Sequence, residues 1–153
     1  MIYTGPRRHD GERRRHDDEP GALKTMTATA EQPVSPEWEQ ARADWWKQAE
    51  GELSRIQKAL AETAPGALSR DLVYAPIHDV AGIAGVFDYH LVGKVARGLM
   101  DTLRRAADPL DDKMVQVAKA YLTTLVALHA RDVRGEGGPA GEAILAKLAS
   151  IQP

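Results

Sequence analysis

From Trp38 to Ile151 the apolar residues return at intervals of three and four, in runs separated by proline and glycine. That period belongs to helices and not to strands. Ser35-Pro36-Glu37 opens the first run as a serine cap, a proline at the first helical position and an acid in the first turn. Trp38, Ala41, Trp45, Ala49, Leu53, Ile56 and Leu60 form its stripe, which Pro65-Gly66 stops near Thr63. The tryptophans read as core anchors, with Trp46 off the stripe and covering an end of the core. A second helix starts near Ser69 or Asp71 and sets Ile77, Val80, Ala84 and Phe87 on one face. Pro76 either kinks this helix or marks its true first turn. Asp88 and Tyr89 read as the turn that follows.

Leu91, Val95, Leu99 and Leu103 give a third helix that ends near Ala107, before Pro109. Leu110-Asp111-Asp112 caps a fourth, with Met114, Val117, Tyr121, Leu125 and Leu128 on its stripe. The stretch from Arg131 to Pro139 is rich in glycine. It lacks the lysine-serine/threonine pair and preceding strand of a phosphate loop, so it reads as a structural turn. A short last helix from about Ala140 to Ile151 sets Ile144, Leu148 and Ile151 against the bundle. The expected fold is all-α: an antiparallel up-and-down four-helix bundle over residues 35–153, with an additional short C-terminal helix.

Residues 1–34 mix five arginines with Asp10, Glu12, Asp17, Asp18 and Glu19 and show no apolar period. Such an arm buries too little to offset its ordering entropy and is expected to be disordered. An arginine-rich contact for an acidic partner is the functional alternative, and Met26 offers a second start. With 153 residues the chain holds one domain. A net charge of −2 and a pI near 6.2 argue against a dedicated nucleic-acid binder. The absence of cysteine removes disulfides and thiolate metal sites, which fits a reducing compartment. No apolar run approaches the roughly 18 residues of a membrane span. No hydrophobic signal-peptide segment opens the chain. The expectation is a soluble, cytoplasmic protein with no nucleic-acid or membrane partner.

The chemistry-bearing stretch is Ala75 to Phe87. His78 stands about 100° off the second stripe, where a side chain reaches solvent. Its neighbours three, four and seven residues on are Ala81, Gly82 and Gly85. Two glycines inside a helix cost roughly 1 kcal/mol each relative to alanine, so a packing or access reason is wanted. A bare surface that admits a partner to a reactive histidine supplies one.

His78-Asp79-Val80-Ala81-Gly82, followed by Gly85-Val86-Phe87-Asp88-Tyr89, resembles the signature of histidine-containing phosphotransfer (HPt) domains. These are helical bundles of bacterial-type two-component signalling that relay a phosphoryl group between receiver aspartates and sensor kinases. The resemblance extends over the helix pattern from about residue 36 to 150, with about ten motif-specific residues. It implies that His78 is the phosphorylated residue and that Gly82 is the family's glycine four residues on. Ala81 stands where the family usually has lysine, which puts the holding of the phosphoryl group in question. Lys94 and Arg97 on the third helix are candidate contacts in its place. Val80, Ile83 and Leu91, with the small residues Ala81, Gly82 and Gly85, are the expected access and docking surface.

The implied partners are a response-regulator receiver domain or a hybrid sensor histidine kinase. No cofactor is expected on the chain itself, since Mg2+ belongs to the receiver. A neutral exposed imidazole, ordinarily titrating near about 6.5, is the required nucleophile, and transfer depends chiefly on positioning and charge. The chain would then be a phosphocarrier and not a self-contained enzyme. Two rivals remain at this level. One is a degenerate HPt-like adaptor that binds receivers or kinases without accepting phosphate. The other is a metal-dependent phosphohydrolase built on His78-Asp79, for which His90 and His129 lack ligand-like spacing.

Overall fold

The computed structural model describes residues 34–153 apart from residue 65. The expectations for the N-terminal arm therefore lie outside the described residues. Five α-helices follow: α1 (Pro36–Glu62), α2 (Arg70–Ala84), α3 (His90–Arg105), α4 (Asp112–Ala130) and α5 (Gly138–Ser150). The described residues contain no strand. Helix α1 packs on α2, α2 on α3, α3 on α4 and α4 back on α1, so the first four close a ring. Helix α5 rests on α3 from outside. Leu53, Ile56, Ile77, Leu99, Leu103, Leu122 and Leu125 lie fully buried within the ring.

The local chemistry explains the boundaries. Pro36 sits at the start of α1 with Glu37 and Glu39 in its first turn, where acids favour the positive end of the helix dipole. Asp111 caps α4 by accepting a hydrogen bond from the Met114 amide at 2.8 Å. Ser69 stands at the cap of α2 with an extended backbone but makes no side-chain cap bond. Asp108 serves that end from the neighbouring connection, accepting from the Arg70 amide at 3.0 Å. Pro76 lies inside α2, which runs through it, so the first-turn alternative does not hold. The proline has no amide hydrogen to donate to the Leu72 carbonyl, and Leu72 lies on the exposed side of the helix.

The α1 stripe differs from expectation by one position. Trp46 is buried with Ala49, Leu53, Ile56 and Leu60, while Trp45 is half-buried beside it. Positions 46, 49, 53, 56 and 60 alternate steps of three and four without a break, so Trp46 and not Trp45 continues the inward row. Trp45 instead stacks on Trp46 at 4.8 Å between centroids and on Phe87 at 5.5 Å.

The link from α2 to α3 is a 3₁₀ turn, Gly85–Phe87, ended by Asp88 in the left-handed region with φ of 66°. Tyr89 belongs to the core and not to a solvent turn: its ring is fully buried. Its hydroxyl donates to Asp132 Oδ1 at 2.5 Å and accepts from Arg42 at 3.1 Å. Burial pushes this phenol up from its ordinary value and Asp132 adds to the rise, with Arg42 opposing. The glycine-rich turn is structural, as its sequence indicates. The Gly135 amide donates to the Asp88 carbonyl, and the Leu91 amide donates to the Gly135 carbonyl at 2.8 Å. One phenol and two backbone bonds thus join α1, the start of α3 and the segment after α4. Tyr89→Phe keeps the ring but strips a hydrogen-bond partner from half-buried Arg42 and from Asp132. It is expected to lower unfolding free energy by about 1–3 kcal/mol, measured by urea titration.

Candidate functional site

Helix α2 turns Val73, Ile77, Val80, Ala81 and Ala84 inward. That stripe leaves His78 on the outer side, with its side chain 61 % exposed. Its Nδ1 faces Asp79 Oδ1 at 3.5 Å, the limit of hydrogen bonding. One turn earlier, the Tyr74 ring lies against the imidazole with centroids 6.1 Å apart and planes 28° off parallel. One turn later the surface is bare. A methyl group added at Gly82 would meet no atom within 4 Å, and one at Gly85 would meet only His90 Nδ1 at 3.8 Å. Neither glycine is required by packing among the described residues. Gly82→Ala is therefore expected to raise stability by about 0.5–1 kcal/mol in a urea titration, because a helical glycine is replaced without a clash.

The docking residues read from the sequence divide into two groups. Ile83 is 40 % exposed, and Val86, three residues further on, is 65 % exposed. Val80, Ala81 and Leu91 are instead buried and do not offer a docking surface. Val80 and Ala81 fall on the inward side of α2 because the buried stripe widens there to include neighbouring positions. Leu91 is roofed by the segment after α4: its Cδ2 occupies the space a side chain on Gly137 would need, 2.6 Å from that position. Val86 is the exposed residue that the sequence reading omitted, although its spacing from Ile83 places both on one helical side.

Two contacts set the register of α2 against α3. The position of a Gly93 side chain would be 3.6 Å from Ala84 Cβ, and Arg104 Nε donates to Tyr74 Oη at 3.0 Å. His78 on α2 and Arg97 on α3 both lie in the interval between them. His90, Lys94 and Arg97 share a face of α3, spaced four and three apart. Lys94 is committed to Glu136, donating to its carboxylate. That hydrogen bond, with positive charge from Lys94, His90 and Arg97, holds the Glu136 carboxyl below its ordinary 4.5. Arg97 folds back over the small Gly93, its guanidinium 3.4 Å from where a Gly93 side chain would begin. Among the described residues no hydrogen bond or ion pair joins Arg97 to an acid, or His78 to Lys94 or Arg97.

The other two described histidines have structural neighbours. His90 Nε2 lies 3.2 Å from Asp88 Oδ1, and His129 meets the Trp46 ring edge-on at 4.3 Å. Among the described residues no three histidine, aspartate or glutamate side chains converge in a way that could hold a metal ion. No described helix is long and apolar enough to cross a membrane. Comparisons with protein-family models, with curated proteins and with solved structures gave no match.

Proposed function

We propose that this chain is a cytoplasmic histidine phosphotransfer protein of a phosphorelay, an up-and-down four-helix HPt-like bundle with an extra C-terminal helix. Its His78 accepts a phosphoryl group from a receiver-domain aspartate or a hybrid sensor kinase and passes it on. The observation that carries this reading is an exposed imidazole on a ring-closed helical core, with two glycines and no obstructing side chain on its C-terminal side. With Nδ1 facing Asp79, Nε2 is the nitrogen left to act as nucleophile. It attacks phosphorus as the P–O bond to the donor aspartate breaks; the P–N bond forms and the carboxylate leaves. The ring proton passes to water. Positioning and charge neutralisation carry such a transfer, and the receiver with its Mg2+ supplies most of both. Ile83 and Val86 supply the apolar shoulder of the docking face.

The place of the family's lysine falls to Arg97 and not to Lys94. Lys94 is held by Glu136, whereas Arg97 makes no hydrogen bond or ion pair to an acid among the described residues and folds over Gly93, the residue of α3 that lies beside Ala84 of α2. Arg97→Ala is expected to slow phosphotransfer about tenfold or more, while Lys94→Ala stays within about twofold, in a rapid-quench assay.

Incubation with a phosphorylated receiver or an autophosphorylated kinase tests the reading. The carrier acquires acid-labile phosphate. The adaptor reading, favoured by the uncharged and buried Ala81, gives a stable complex without label.

A further inference from the structure

The C-terminal helix leaves a cavity that phosphotransfer does not use. Helix α5 packs on α3 but stands off α4, and between α4 and α5 lies an open groove of about 720 Å³. That volume falls in the range of about 300–1,000 Å³ that small-molecule sites occupy. Small residues on both walls make the gap: Ala120 and Ala127 on α4, Ala140 and Gly141 on α5. Both ends are pinned, which keeps the helices from closing it. At one end Gln152 Nε2 donates to Tyr121 Oη at 2.9 Å and Arg105 donates to Gln152 at 3.2 Å. At the other, the backbone bonds of Gly135 and the close seating of Gly141 on the Glu136 carbonyl fix the entry to α5.

The floor is apolar, with Leu91, Leu128 and Leu148 buried beneath and Ile144 half-buried along the wall. Its only charged lining residues among those described are two cations, Arg131 and Lys147. No ion pair to either side chain occurs among the described residues. An apolar trough with unneutralised positive charge and no acid fits one chemistry: a long hydrocarbon tail ending in an anion.

We propose that the α4–α5 groove binds a free long-chain carboxylate, its chain over Leu128, Ile144 and Leu148 and its head group met by Arg131 or Lys147. This site is separate from His78 and stands or falls independently of the phosphotransfer reading.

Isothermal titration of the full chain with dodecanoate, kept below its micelle concentration, tests the proposal, with dodecanol as the uncharged comparison. Saturable one-to-one binding is expected in the micromolar range. The double reversal Arg131→Glu, Lys147→Glu should weaken dodecanoate about tenfold or more and leave dodecanol within about twofold. Ala127→Trp, which fills the trough from an exposed wall position, should abolish binding of both; Thr123→Trp replaces it if helicity is not preserved. His78→Ala should bind as the wild type does. Absence of saturable binding overturns the proposal, as does unchanged affinity in the charge-reversed or the groove-filled variant.

Discussion

His78→Ala is expected to lose all acid-labile phosphate while unfolding with a free energy within about 0.5 kcal/mol of the wild type. Both halves follow from one geometry. The imidazole projects from the outer side of α2, and its neighbours are the Tyr74 ring and the Asp79 carboxylate. Removing it exposes no core surface and leaves no buried polar group behind. Loss of the nucleophile, by contrast, leaves no side chain at that point of the helix to form the P–N bond. Docking should survive, because Ile83 and Val86 remain, so the variant should still bind its receiver without becoming labelled. Labelling and thermal melting on the same preparation separate this from a folding defect. A destabilised variant would mean that the ring contributes to packing after all.

Leu91→Ala should lower unfolding free energy by about 2–5 kcal/mol, with the exposed face around His78 left intact. The side chain is almost completely inaccessible and lies under the backbone of Gly137 and Gly141. Its removal opens a cavity where α3, the glycine-rich turn and the start of α5 meet, and those walls are held by backbone hydrogen bonds that resist collapse. A docking residue on the surface would behave differently. Its truncation would change stability by no more than about 0.5 kcal/mol and would weaken partner binding instead. Urea denaturation distinguishes the two, with the slope of the transition checked against wild type.

The helices were legible because helical periodicity, proline and capping residues are local signals. Ser35-Pro36 and Leu110-Asp111 mark helix starts, and Ile77, Val80 and Ala84 are buried on the expected side of α2. What periodicity does not carry is the width of a buried stripe. It picked Trp45 over Trp46 and put Ala81 on an open face, because neighbouring positions differ by only about 100° and the packing partner decides between them. The burial of Leu91 depends on a turn more than forty residues away, which no local pattern encodes. The same holds for the Tyr89 brace, whose partners Arg42 and Asp132 come from distant parts of the chain.

At the candidate site, the exposure of His78 was readable from its angle to the stripe, and the open space at Gly82 and Gly85 from the missing side chains. The different surroundings of Lys94 and Arg97 were not. They are set by Glu136 reaching back from the turn and by the room that Gly93 leaves beneath Arg97. The groove beside α5 was likewise hidden, since it arises from what two helices fail to fill.

The most direct measurement is the position of the phosphate itself. The protein is charged from a phosphorylated receiver or an autophosphorylated kinase, digested at alkaline pH and sequenced by tandem mass spectrometry, with phosphorus NMR on the intact sample. The result expected is a phosphoramidate on the His78 ring; no phosphate, or phosphate on His90, His129 or an aspartate instead, contradicts it.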